Sequence, residues 1–202
     1  MKALVLGATG QLGANLVRAL LAKGDQVRVL ARPQSRTFTL DGLALERVAG
    51  DLNDGESLRR ACDGARVVYQ AASYYPPQTI PVRAAVDQAL AETRNLLEAV
   101  RGAAVERLVF TSTLTTIGFP PNPGQLANED CPFRSLFPNN PYLMAKAAME
   151  QAVLDAAKQG VPAVVVNPTA FFGPYDSKPT SGTQILLVAK RLKLPVAGVG
   201  IP

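Results

Sequence analysis

Tyr142 and Lys146 stand four residues apart in Tyr142-Leu143-Met144-Ala145-Lys146, a spacing that places two side chains on one face of a helix. Asn139, Asn140 and Pro141 just before them read as an N-cap region with proline at the first helical position. Tyr142 then falls in the first turn, where the helix dipole favours a phenolate. A phenol ordinarily titrates at about 10. An ammonium one turn away lowers that value and makes the phenol usable as a general acid and base near neutrality.

A second group of residues could hold a phosphate. Gly7-Ala8-Thr9-Gly10-Gln11-Leu12-Gly13 lies between an apolar run and an amphipathic segment. A helix N-terminus presents unpaired N–H groups and partial positive charge. Glycines allow the backbone to approach a pyrophosphate and the helix to pack tightly on the strand. The spacing is G-x-x-G-x-x-G rather than the G-x-G-x-x-G of ordinary dehydrogenases. A glycine-rich turn that only permits tight packing is the plainer alternative. Where an acid would accept the ribose 2′-hydroxyl of NAD, the chain has Ala31 and Arg32, with Arg36 nearby. An arginine can pair with a 2′-phosphate and stack on adenine, which favours NADP over NAD. The alternative is a solvated arginine at a strand end. Asp51-Leu52 would flank the adenine, although aspartate is also a common turn former.

The elements that must position these groups follow from hydrophobic pattern. Apolar runs predict strands at 2–6, 26–31, 44–49, 66–71, 108–110 and 163–166. Helical spacing predicts helices at 11–23, 57–63, 82–101, about 141–159 and about 182–192. Strands alternating with helices, without clean two-residue alternation, imply an α/β doubly wound parallel sheet covered on both faces. The proline- and asparagine-rich loop 118–141 is long for a compact domain and is expected to be functional or mobile.

Composition excludes several kinds of chemistry. The chain has 202 residues, 48% hydrophobic and 18% charged, which suits one packed domain or one with a small appendage. It contains no histidine, which removes Ser-His-Asp triads and imidazole-bound zinc. Two cysteines, Cys62 and Cys131, are too few for a thiolate metal site or a disulfide framework, so no metal is expected. The net charge of +5 is spread over both halves and suits an anionic small molecule better than nucleic acid. No apolar run is long enough to span a bilayer and no signal peptide is evident, so a cytoplasmic chain is expected.

Taken in order, the motifs resemble those of the extended short-chain dehydrogenase/reductases. They are Gly7-x-x-Gly10-x-x-Gly13, Asp51-Leu52, Ala71-Ala72, Thr111-Ser112-Thr113, Tyr142-x-x-x-Lys146, Asn167-Pro168 and Gly173-Pro174. The resemblance is to the NAD-dependent epimerase/dehydratase family, with the dihydroflavonol-reductase-like branch nearest. It implies a Rossmann-type sheet of order 3-2-1-4-5-6. It implies that Gly7, Thr9, Gly10, Gln11, Leu12 and Gly13 hold a pyrophosphate, Arg32 the 2′-phosphate, and Asp51 and Leu52 the adenine. Ala71 and Ala72 would line the path to the nicotinamide ribose, with Pro168 beside the nicotinamide. Tyr142 would exchange the substrate proton, its phenolate further favoured by a positively charged nicotinamide. Lys146 would hold the ribose hydroxyls and lower the tyrosine pKa. Counting back five residues from Gly118 makes Thr113 the hydroxyl member of the triad, with Ser112 the fallback; ordinary strand-end hydroxyls are the alternative.

Departures from the family pattern accompany the resemblance. Ala89 stands where an asparagine is often found, and Tyr69 where a histidine sometimes occurs. Family members continue beyond the length of this chain into a small C-terminal substrate domain, which is expected to be mostly absent here. The expected division is a nucleotide-binding domain over 1–180 and the start of a truncated substrate region over 181–202. Tyr74-Tyr75 and Phe171-Phe172, at the carboxyl ends of strands, could wall an apolar substrate or simply fill the core.

The expected activity is NADP-dependent hydride exchange with a small-molecule carbonyl or alcohol. Three alternatives stand beside it: an NAD-dependent nucleotide-sugar epimerase or dehydratase, a non-catalytic NADP-binding redox sensor, and a fragment that binds cofactor without turnover. No nucleic-acid or membrane partner is expected, and a homodimer is suggested only by family habit.

Overall fold

The computed structural model describes residues 1–72, 74–122, 124–177 and 181–189. Six parallel strands, β1 (Lys2–Leu6), β2 (Gln26–Ala31), β3 (Glu46–Ala49), β4 (Val67–Gln70), β5 (Arg107–Thr111) and β6 (Ala163–Val166), form one sheet in the order β3-β2-β1-β4-β5-β6. The helices are α1 (Gln11–Ala22), α2 (Gly55–Cys62), α3 (Val82–Gly102), α4 (Pro141–Lys158) and α5 (Gly182–Ala189). The doubly wound order is the one expected from the sequence. The chain leaves β1 toward β2 on one side and returns across it to β4 on the other. That reversal opens a crevice at the carboxyl ends of the two strands, where ligands bind in sheets of this kind.

The pleat of β1 divides the core. Leu4 and Leu6 face a cluster that includes Leu58 of α2, Leu96 of α3 and Met149 and Val153 of α4, together with Leu108 and Phe110 of β5. Ala3 and Val5 face the opposite side, against Val17 and Leu20 of α1, Val27 and Val29 of β2, and Leu40. Alternate residues of a strand point to opposite faces. A central strand buried on both faces must therefore be apolar throughout, which is why the run from Ala3 to Leu6 shows no polar alternation. Each fully buried leucine contributes about 1.5–3 kcal/mol.

Boundaries differ from the sequence reading for local reasons. β3 begins at Glu46 rather than at residue 44, because Leu45 turns into the α1-side core before the ladder starts. α2 begins at Gly55 rather than at residue 57: the Asp54 side chain accepts hydrogen bonds from the Glu56 and Ser57 amides and starts the helix two residues early. β5 runs one residue further at each end than its apolar core, and β4 is one residue shorter at each end than expected. Residues 190–192 of the expected last helix, and most of the expected substrate region 181–202, lie outside the described residues. Within the loop 118–141 the Gly118 N–H donates to the Cys131 carbonyl at 3.1 Å. Both cysteines are free thiols; Cys62 is buried in the core, and burial pushes its thiol up to about 11. No helix among the described residues is long and apolar enough to cross a membrane.

Candidate active site

A cleft of about 940 Å³ runs along the carboxyl edge of the sheet, from the β2 and β3 ends past the β1 loop to the β5 and β6 ends. It is lined by Gly7, Thr9, Gly10, Gln11 and Leu12 of the glycine loop, by Arg32, Asp51, Leu52, Ala71 and Ala72, and by Thr113, Tyr142 and Pro168. Of the site residues expected from sequence, Gly13 and Lys146 do not line it.

Gly7 has φ +79, and a Cβ there would lie 2.5 Å from Ala72 Cα. It therefore needs glycine twice over, for the left-handed backbone and for the approach of the β4 end. Gly13 is placed differently from Gly7. It does not face the cleft but sits beneath the loop, where a Cβ would come within 2.7 Å of Ala8 Cα and closer still to the Gly7 carbonyl oxygen. Its part in any pyrophosphate site is to let α1 pack against the loop. The first turn of α1 carries no acidic residue, and its Gly10 cap makes no side-chain hydrogen bond. Those first-turn amides are left for a ligand. Beside them the Gln11 and Asn15 amides donate to the Gly173 and Pro174 carbonyls, at 2.9 and 3.0 Å, and tie that loop across the start of α1. A cradle a Cβ would fill, above an uncapped helix start, fits a dinucleotide pyrophosphate.

At the far end of the cleft Arg32 Nε lies 3.8 Å from Asp51 Oδ2, both partly exposed. Asp51 is held in a tight turn, its Oδ1 accepting from the Asn53 amide at 2.9 Å, while Asn95 donates to the Leu52 carbonyl at 3.0 Å. A third polar group here was not foreseen. Glu92 of α3 is buried, lines the cleft, and accepts hydrogen bonds from Gln88 (3.1 Å) and Asn53 (3.5 Å). Burial, and secondarily the Asp51 charge, push its carboxyl up; Gln88, Asn53 and Arg32 oppose them. A signal existed in the sequence: Glu92 lies on the helical stripe of Ala85, Ala89, Thr93 and Leu96, all of which are buried.

Tyr142 enters from α4, whose Asn140 cap accepts the Leu143 amide at 3.1 Å with Pro141 at the first turn, as the sequence predicts. Its ring stacks on Tyr75, centroids 4.9 Å apart and planes 5° from parallel. Tyr74, Tyr75 and Phe171 line the cleft, whereas Phe172 is exposed outside it. Thr113 lines the cleft and caps a short turn, its Oγ1 accepting from the Thr115 amide at 3.3 Å. Ser112 also borders the cleft but is buried, its hydroxyl 3.3 Å from that of Thr116.

Lys146 sits one turn behind Tyr142 and is 1% exposed. Its Nζ donates to the Thr111 carbonyl at 3.0 Å and lies 5.5 Å from the Phe110 ring centre. Burial pushes its ammonium down to about 8, against the carboxylate of Glu150, which holds it up. The sequence reading gave Lys146 the ribose hydroxyls; in the structure the residue is buried and its amine rests on the carbonyl of Thr111, itself a cleft-lining residue at the end of β5. A lysine pKa below its unfolded value means the unfolded chain holds more protons between about pH 8 and 10.5. Stability must therefore rise with pH across that window, by roughly 3 kcal/mol at most for this group. Denaturant unfolding of the wild type and of Lys146→Met at pH 7.5 and 10 is expected to show that gain in the wild type only.

The sequence profile of the NAD-dependent epimerase/dehydratase family matches residues 3–199. The chain belongs to that family. Within it, the chain is 41% identical over 180 residues to sterol demethylase protein B of Methylococcus capsulatus, covering 89% of this chain and 54% of that protein. It is 39% identical over 193 residues to a putative dihydroflavonol 4-reductase of a Synechocystis species, covering 95% and 55%. Among solved structures, a nucleoside-diphosphate-sugar epimerase from Pseudomonas aeruginosa superposes with TM-score 0.79 at 27% identity, over 95% of this chain and 60% of that one. A Thermus thermophilus UDP-glucose 4-epimerase in complex with NAD gives TM-score 0.64 at 27% identity, over 87% and 60%. The chain spans about half the length of the curated relatives it matches. These likenesses agree with the epimerase/dehydratase-family resemblance carried by the glycine, Tyr142 and Lys146 motifs.

Proposed function

We propose that residues 1–180 form the nucleotide-binding and catalytic domain of an NADP-dependent oxidoreductase, with 181–202 opening a substrate-binding region. The observation that carries this reading is that Tyr142 and the glycine loop line one cleft, with the Lys146 amine buried one turn behind the phenol. Gly7, Gly10 and the amides of Gln11 and Leu12 would hold the pyrophosphate, Asp51 and Leu52 the adenine, and Arg32 a 2′-phosphate. Ala71, Ala72 and Pro168 would flank the nicotinamide. When bound, that ring would supply or take a hydride.

The chain's own residues do the rest. Thr113, and Ser112 beside it, would hold a substrate carbonyl oxygen and aim its carbon. Tyr142 would give its proton to that oxygen as the alcohol forms, or take it back in the reverse direction. Lys146 acts from behind, as a positive charge that lowers the cost of the phenolate. Small ketones or aldehydes are the favoured substrates.

A second reading has a specific observation in its favour. Arg32 is paired with Asp51, and Glu92 adds a second carboxyl at that end of the cleft. Carboxyl groups suit a ribose diol better than a 2′-phosphate. An NAD-dependent epimerase or dehydratase, returning the hydride to its own substrate, is therefore the runner-up. The Tyr142–Lys146 pair speaks against a purely sensing role.

Titration with NADPH and NADH separates the two cofactors. Arg32→Ala is expected to weaken NADPH binding about tenfold, the order of one charge-assisted pair, and to leave NADH nearly unchanged. Equal loss for both would remove the NADP assignment. Dinucleotide that stays bound through purification, with no turnover of added NADPH, would favour the epimerase reading.

A further inference from the structure

Behind the proposed catalytic face lies a polar cluster that the reaction, as written above, does not use. Glu150, half-buried on α4, accepts hydrogen bonds at Oε2 from the Thr116 hydroxyl at 2.5 Å and from the Asn167 amide at 2.9 Å. Asn167 also donates to the Thr113 carbonyl at 3.2 Å and to the Thr116 hydroxyl at 2.9 Å. The Thr116 hydroxyl oxygen also lies 2.7 Å from the Thr113 carbonyl oxygen and 3.3 Å from the Ser112 hydroxyl. One carboxylate thus gathers the turn after β5, the end of β6 and α4, the three segments that carry Thr113, Pro168 and Tyr142.

Glu150 is also one helical turn beyond Lys146, on the same face of α4. Among the described residues it supplies the one charge that acts on the Lys146 amine. β5 offers that amine only uncharged groups, the Thr111 carbonyl and the Phe110 ring. The buried carboxyl of α3, Glu92, is engaged by Gln88 and Asn53 at the adenosine end of the cleft. Tyr142, one turn earlier on α4, is the other titratable group on that face.

We infer that Glu150 is a positioning residue with two tasks: it fixes the hydroxyl turn that presents Thr113, and its negative charge keeps the buried Lys146 protonated for the phenol in front. The inference rests on the reading of Tyr142 and Lys146 as an acid–base pair. An amine enclosed by apolar groups sheds its proton early unless a carboxylate offsets the lost hydration. Glutamine can still accept the Thr116 and Asn167 hydrogen bonds, so Glu150→Gln removes the charge and leaves the scaffold.

The test is an NMR titration of the Lys146 Cε and Nζ, assigned by their loss in Lys146→Arg. In Glu150→Gln the Lys146 midpoint is expected to fall by about one pH unit. kcat for NADPH-dependent carbonyl reduction at neutral pH should drop about tenfold with little change in KM. A midpoint that stays put would overturn the assignment, whatever happens to activity. If Glu150→Gln does not fold, the wild type supplies the same answer. Its Lys146 resonances should show a second inflection as carboxylates are protonated, and no such inflection would overturn the inference. A shifted midpoint in a chain that reduces no carbonyl would support the electrostatic assignment and overturn the oxidoreductase reading instead.

Discussion

Tyr142→Phe is expected to lower the rate of NADPH-dependent carbonyl reduction about a thousandfold, the scale of a positioned general acid. The substitution removes one oxygen and keeps the ring. The stack on Tyr75, 4.9 Å between centroids, and the cap of α4 at Asn140 do not depend on that oxygen. The dissociation constant for NADPH should stay within about twofold, since the proposed pyrophosphate cradle lies between β1 and α1. Single-turnover kinetics with preloaded NADPH separate the two quantities. A chain that loses only the proton donor binds as before and stalls at chemistry. Reduction at the wild-type rate by the Phe variant would end the assignment of Tyr142, and with it the catalytic part of the proposal.

The second large effect lies where no reacting atom is near. Gly13→Ala would drive a Cβ to within 2.7 Å of Ala8 Cα and closer to the Gly7 carbonyl oxygen. Both obstacles are backbone, so no side chain can swing aside. Either α1 moves off β1 or the loop opens, and each destroys the curve that would receive the pyrophosphate. The expected loss is about 2–3 kcal/mol of stability, the range for a forced overpacking, together with at least a hundredfold in NADPH affinity. Denaturant midpoints and fluorescence titration read the two separately. Gly10→Ala is the control: its Cβ would meet nothing nearer than 3.5 Å, so the protein should fold as the wild type does and lose only ligand affinity.

The contrast between those two glycines shows which parts of the site were legible in the sequence. Spacing identified Gly7, Gly10 and Gly13 as a set, but it could not divide them by task, because the division depends on where the loop folds over itself. The sheet order was legible because β1 and β4 are apolar runs in a strand–helix alternation, and parallel pairing leaves few topologies. Tyr142 and Lys146 were legible as a pair. The full burial of Lys146 was not, since nothing local announces that Thr111 and Phe110 close over it. The contacts of Glu92 with Asn53, and of Glu150 with Thr116 and Asn167, join separate elements 17 to 39 residues apart. No motif records such contacts. Their only trace is periodic: each glutamate lies one or two helical turns from a residue that is buried, where a solvated face would not bring it.

The face-to-face pair of Tyr75 and Tyr142 has an optical consequence. The chain contains no tryptophan and five tyrosines, and three of them, Tyr74, Tyr75 and Tyr142, border the cleft. Its ultraviolet emission therefore comes from phenols alone, and most of those emitters stand where a ligand would enter. Parallel rings so close also couple their transitions, which gives the near-ultraviolet dichroism a signature that vanishes if Tyr75 swings away. The polypeptide carries its own lamp at its own doorway, and arrivals there can be watched without a label.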